Sequence, residues 1–244
     1  MTFTDALLSA PRPVIMEVKR QDADGTGLLG ARSVTDVVAA YEEAGAPCVS
    51  VVTGRWFGGS EALLEEVAAS TRLPLLRKDF LTSQRQLERS RELGASAVLL
   101  TVRLLPGGVL SRLVDHALDL GLTPFVEVAD AAEATAVPRA ERCVVAVNNK
   151  DIATRERLPG DLDRSSTLLP AVRATGTRCA VSASGITDPA DAARLLDAGF
   201  GGLLIGTGLL RAAHPAHWCA ALDAARERPR GPGRIPGQTR PARR

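Results

Sequence analysis

An eightfold alternation constrains this chain more than any other feature of its sequence. Short apolar runs recur as PVIMEVK (13–19), CVSVVT (48–53), PLLRKD (74–79), AVLLT (97–101), PFVEV (124–128), CVVAVNN (143–149), CAVSAS (179–184) and GLLIGT (202–207). A stretch with helical spacing lies between each run and the next. Ser33 precedes VTDVVAAYEEAG, where Val34, Val37, Val38 and Tyr41 share one face. Ser60 and Ser83 stand before EALLEEVAAS and QRQLERSRELG, and Asp188-Pro189 opens ADAARLLDAG with proline at the first helical position. Gly45, Gly94, Gly121 and Gly199 follow helical stretches, where a left-handed residue ends the helix. Strand alternating with helix predicts a parallel sheet. Eight such units in about 215 residues predict closure into a single α/β domain, a (βα)8 or TIM barrel. No GxGxxG follows the first run, which argues against an open dinucleotide-binding sheet.

The barrel is expected to span residues 1–227. The chain is 45% hydrophobic but only 3% aromatic, so its core must be aliphatic, as a buried parallel sheet requires. No apolar run approaches the roughly 18 residues of a membrane span. The opening MTFTDALLSAPRP has no basic segment leading into an apolar one, so no signal peptide is read and a cytoplasmic location is expected. Cys48, Cys143, Cys179 and Cys219 show no CxxC or zinc spacing and read as buried, inert thiols. Residues 228–244 carry six arginines and no acid, with prolines and glycines between them; without those six charges the formal net charge of +2 becomes −4. No basic barrel face or aromatic platform accompanies this stretch. It reads as a disordered tail rather than a nucleic-acid-binding arm. Neither nucleic acid nor a membrane is expected as a partner, and monomer and homodimer stay open.

In such a barrel, chemistry gathers where the strands end. The first run ends in Glu17, Lys19 and Arg20, the third in Lys78 and Asp79. The fifth offers Glu127, the sixth Asn148 and Asn149, then Lys150 and Asp151, the seventh Ser182 and Ser184. Alternation along a strand puts Glu17 and Lys19 on one face. Two lysines and a carboxylate at one mouth would form an acid/base set, because neighbouring charges tune one another's protonation. Ordinary ion pairs would explain any one of these residues; polar groups at so many strand ends, in otherwise apolar runs, point to function. SGI (184–186) and GTG (206–208) follow the last two runs, where barrels often hold phosphate on backbone N–H groups.

Taken together, EVKR (17–20), VVTGRWFGGS (51–60), LLRKDFLTSQRQL (75–87), LGASAVLLTV (93–102), FVEVAD (125–130), VNNKD (147–151), SASGI (182–186) and LLIGTGLL (203–210) resemble the indole-3-glycerol phosphate synthase family over about residues 13 to 212. The resemblance implies a carbon–carbon lyase of tryptophan biosynthesis. Its small-molecule substrate is a phosphorylated sugar-arylamine, 1-(2-carboxyphenylamino)-1-deoxyribulose 5-phosphate, which loses CO2 and water. It implies Lys78 as the acid at the ketone, Lys19 as the holder of the substrate carboxylate, and Glu127 as the acid/base group of dehydration. Glu17 and Asn148 match residues that orient the lysines and the sugar hydroxyls, and Ser184 matches a substrate contact. Gly185, Gly206 and Thr207 match the phosphate cradle, with Thr for the usual Ser; Phe57 and Phe80 match walls around the aromatic ring. No metal or organic cofactor is implied.

Four departures stand against the family pattern. Ala183 replaces the Glu of SESGI. Asp22-Ala23-Asp24 replaces SPS after the first strand, setting a carboxylate where a phosphate would lie. Gly54 replaces a Glu after Thr53. About a dozen residues precede the first strand instead of about 40, a shortened extension expected to leave the mouth wetter. These departures keep two alternatives open: a diverged paralogue using the same Lys/Glu pair on a related substrate, and a non-catalytic ligand- or partner-binding barrel.

Overall fold

A computed structural model describes residues 1–106, 108–151 and 160–228. The stretch from residue 229 onward, nearly all of the expected tail, lies outside the described residues. Eight parallel strands close into one barrel in chain order: β1 (Val14–Val18), β2 (Cys48–Val52), β3 (Leu75–Lys78), β4 (Ala97–Thr101), β5 (Thr123–Val128), β6 (Val144–Asn148), β7 (Cys179–Ala183) and β8 (Gly202–Ile205), with β8 pairing back onto β1. All eight expected runs are strands. Every strand residue is buried, as expected when helices cover the outside and side chains fill the inside.

The helices start where their caps predict. They are α1 (Phe3–Ser9), α2 (Val34–Glu43), α3 (Glu61–Ser70), α4 (Gln84–Glu92), α5 (Gly108–Asp119), α6 (Ala131–Thr135), α7 (Leu162–Ala174), α8 (Pro189–Ala198), α9 (Thr207–Arg211) and α10 (Pro215–Glu227). Ser33 forms a capping box with Asp36, Ser83 one with Gln86, and Ser60 and Asp188 each accept a backbone N–H. Gly45, Gly94, Gly121 and Gly199 all have positive φ. The α2 stripe Val34, Val37, Val38 and Tyr41 is buried as the spacing predicts.

Alternation splits the core in two. Val14, Met16 and Val18 of β1 face outward into the shell between barrel and helices. Ile15, Cys48, Leu76, Leu99, Phe125 and Val181 face inward and fill the lower barrel. Helix α1 joins this inner cluster. Phe3 and Leu7 are fully buried, and Phe3 meets Phe125 edge-on at 6.4 Å, a geometry worth about 1 kcal/mol beyond area burial. A side chain at Gly202, where β8 begins, would strike Leu7. So α1 closes the end of the barrel where the strands start, opposite the mouth formed by their C-terminal ends.

Candidate active site

Above the apolar layers the inward positions turn polar. Glu17, two residues above Ile15, is buried on β1. Its backbone carbonyl accepts a 2.9 Å hydrogen bond from the Tyr41 hydroxyl of α2, which fixes the strand behind the carboxylate. The Lys19 Nζ lies 3.4 Å from Glu17 Oε1, and the Lys78 Nζ of β3 lies 3.7 Å from Oε2. Ser50 of β2 adds a 3.5 Å hydrogen bond to Oε2. The two lysines and the carboxylate expected at one mouth are therefore brought together, with the carboxylate between the two ammonium groups. Burial alone would raise the Glu17 carboxyl; Lys78 and Lys19 outweigh it and hold the group below the usual carboxylate range.

The sign of that shift fixes a pH effect. A carboxyl depressed in the folded state stabilises the fold above its unfolded value and loses that contribution as pH falls through the folded value. Glu17→Gln should flatten the acid side of a stability profile between neutral pH and about pH 3. Chemical denaturation of both proteins at a series of pH values checks this; parallel acid limbs would overturn it.

Two cavities meet at this charge cluster. The larger, about 460 Å³, lies on the β7–β8–β1 side. Lys19, Lys78, Ser184, Gly185, Gly206 and Thr207 line it, so the expected phosphate cradle and both lysines share one space. The smaller, about 20 Å³, is bounded by Trp56, Phe57, Phe80, Leu99, Lys78 and Glu127. Phe57 and Lys78 line both. Phe57 and Phe80, expected to flank an aromatic ring, both border this smaller cavity, and Glu127 lies on the apolar side of Lys78 rather than in the larger space. Lys19 Nζ stands 5.8 Å from the Phe57 ring centroid, within cation–π range. Asn148 ends β6 at 1% exposure; its Oδ1 accepts the Lys150 N–H, and its Nδ2 has no hydrogen-bond partner among the described residues.

Glycines let these parts approach. A Cβ at Gly206 would collide with Glu17 Oε1, and one at Gly185 would stand 2.8 Å from the Gly160 Cα. Ser184, just before Gly185, has φ 70°, a left-handed conformation disfavoured outside glycine. A buried network holds it there. Asn149 Nδ2 donates to the Ser184 carbonyl at 3.1 Å and to Ser182 Oγ at 3.0 Å, while Ser165 Oγ of α7 donates to Asn149 Oδ1 at 2.7 Å.

Arg77, adjacent to Lys78, faces outward yet is only 4% exposed. It donates to Glu61, Thr53 and Ser90 and lies 3.7 Å from Asp79. This cross-brace anchors the end of β3 that carries Lys78. Its acidic partners are partly solvated, so Arg77→Met should cost about 2 kcal/mol rather than the full penalty of a stranded buried charge. Urea unfolding measures it, and an unchanged midpoint would refute it.

Among the described residues, no three His, Cys, Asp or Glu side chains gather as a metal site, and no helix is long and apolar enough to cross a membrane. All four cysteines are free and buried, and burial pushes the Cys48, Cys143 and Cys179 thiols up to about 12.

The sequence profile described as indole-3-glycerol phosphate synthase matches residues 1–222. The chain belongs to the indole-3-glycerol phosphate synthase family. The indole-3-glycerol phosphate synthase of Pyrococcus furiosus is 38% identical over 208 residues, covering 84% of this chain and 88% of that protein. Indole-3-glycerol phosphate synthase 1 of Streptomyces coelicolor is 36% identical over 217 residues, covering 88% and 79%. Among solved structures, 3-hexulose-6-phosphate synthase from Salmonella typhimurium superposes with a TM-score of 0.67 at 14% identity, covering 87% of this chain and 97% of that one. That likeness is one of fold.

Against the indole-3-glycerol phosphate synthase pattern, the departures now have surroundings. Ala183 is fully buried and pairs in register with Asn148, so the missing carboxylate would have stood next to the Asn148 Nδ2, which has no hydrogen-bond partner among the described residues. A Cβ at Gly54 would stand 3.4 Å from Asp79 Oδ1, so a Glu there would meet a carboxylate already bound to Thr53. Asp22 lines the larger cavity and pairs with Arg211 at 2.7 Å. Sequence reading missed that partner, and it missed Trp56, whose ring packs 5.4 Å from that of Phe80. Trp56 lies inside a quoted motif, and its place beside Phe57 was the available signal.

Proposed function

We propose that this chain catalyses the reaction of its family, converting 1-(2-carboxyphenylamino)-1-deoxyribulose 5-phosphate to indole-3-glycerol phosphate. The observation that carries this reading is the position of Lys78, ion-paired to Glu17 and lining both cavities at once. The substrate has a polar phosphorylated half and an aromatic half, and the bond to be made joins them. A proton donor at the junction of a polar and an apolar space suits that bond.

The aromatic carbon bearing the carboxylate attacks the ketone carbon, and Lys78 gives the ketone oxygen its proton. Lys19 holds the substrate carboxylate until CO2 leaves and the electron pair returns to the ring. The new hydroxyl then departs as water while the adjacent methylene loses a proton. Glu127, buried beside the ring wall, serves these transfers. Glu17 orients both lysines, Asn148 binds sugar hydroxyls, and Ser184, Gly185, Gly206 and Thr207 hold the chain and its phosphate. Phe57 and Phe80 flank the ring. The apolar space of about 20 Å³ is too small for a benzene ring, so Phe57 or Trp56 must swing aside on binding; Trp56 is 56% exposed and has room to move. The four buried free thiols suit a reducing cytoplasm.

One observation favours the second reading, a related substrate: Asp22, Asp24 and Asp191 line the same cavity as the phosphate cradle. Incubating the purified protein with the carboxyphenylamino substrate and following indole fluorescence tests both. Turnover supports the family reaction. Tight binding without turnover points to a binding barrel, and neither points to the related substrate.

A further inference from the structure

The geometry points to Asp22 and Arg211 as an exchange pair that sets phosphate affinity: to bind, a phosphate must take the Arg211 guanidinium away from Asp22. This inference rests on the phosphate-site reading above.

Asp22 is the fixed half. It sits in a tight turn closed by the Gln21–Gly27 bridge, and its Oδ1 accepts the N–H groups of Asp24 at 3.0 Å and Thr26 at 2.9 Å. Only Oδ2 faces Arg211. The Asp22 side chain is 13% exposed, that of Arg211 60%. Arg211 is the movable half, a long side chain on the last residue of α9, the short helix that begins at Thr207.

The elements that carry the pair do not depend on it. Arg32 donates to the carbonyls of Leu28 and Leu29 in the β1–α2 loop and to that of Leu210 in α9, at 2.7 to 3.0 Å. This strut keeps loop and helix together whether or not Arg211 is on Asp22. The Asp22–Arg211 bond is therefore free to open without unfolding the rim.

Opening it is chemically favoured when a dianion arrives. An ion pair with a largely exposed arginine is weak and screened by salt. A phosphate offers the guanidinium a bidentate partner with more charge. Once Arg211 moves, it stands between the phosphate and the Asp22 carboxylate, which would otherwise repel each other. The carboxylate that replaces the family's serine thus lowers phosphate affinity, and Arg211 limits the loss.

Four proteins test this: wild type, Asp22→Ser, Arg211→Ala and the double variant. Asp22→Ser should bind about tenfold tighter, Arg211→Ala about tenfold weaker, and the double variant should return near wild type. The probes are inorganic phosphate by calorimetry and, for turnover, KM, with the change falling on KM rather than kcat. An Asp22→Ser protein that binds phosphate no better than wild type overturns the pair, as does an Arg211→Ala protein that binds it equally well. Melting curves confirm that each variant is folded. Phosphate affinities in the expected order without turnover would keep the pair and reject the proposed reaction. Turnover with flat affinities would do the reverse. No phosphate binding by the wild type would reject the site and the pair together.

Discussion

Lys78→Ala should lower kcat by about a thousandfold, within the range that a positioned general acid contributes. The substitution removes the proposed proton donor at the meeting point of the two cavities and one of the two cations around Glu17. Loss of that cation also lets the buried carboxyl rise, so part of the effect could come from a weakened fold. Lys78→Arg separates the two causes. It keeps the positive charge beside Glu17, yet a guanidinium gives up its proton far less readily than an ammonium. We expect the arginine variant to melt near wild type and still lose most of its turnover. KM should move by only a few-fold in either variant, because the phosphate cradle belongs to other strands. A loss of less than about tenfold in both variants would mean that Lys78 is not the acid.

Glu127→Gln should separate the two halves of the reaction. Glutamine keeps the size and shape of the side chain, with an NH2 donor in place of one acceptor oxygen, but cannot carry a proton through dehydration. In the proposed reaction, ring closure and CO2 release rest on Lys78 and Lys19 rather than on Glu127. In a single turnover, CO2 should appear at near the wild-type rate while indole fluorescence lags by about a hundredfold or more. Rapid-quench collection of CO2 against stopped-flow fluorescence reads the difference. If both signals rise together at the wild-type rate, Glu127 has no part in the proton transfers.

Much of this molecule was legible in its residues because the signals were local. Ser33, Ser60, Ser83 and Asp188 each report a helix start within four residues of themselves. Glu17 and Lys19 share a face because the period of a strand is two, and the recurrence of the pattern shows which strand ends meet Lys78. What stayed hidden depends on distance in sequence. Asp22 meets Arg211 across 189 residues; Asp22 alone reads as a carboxylate set against a phosphate, and nothing local links it to Arg211. Arg77 interrupts an apolar run, but its partners come from Thr53 just beyond β2, from α3 and α4, and from Asp79 just beyond β3. Nothing in LLRKD distinguishes the outward arginine from the inward lysine except register. The left-handed turn at Ser184 was invisible for the same reason. The Asn149–Ser165 contact that holds it joins the end of β6 to α7.

The helix that stoppers the lower barrel has a consequence for traffic. With Phe3 and Leu7 wedged beneath Phe125 and Gly202, nothing passes through the axis of the molecule. Among the described residues, a ring-closing lyase in this shell has one doorway. Gas, water and the indole product must all leave by the way the substrate came in, and the bulky product stands in the path of its successor.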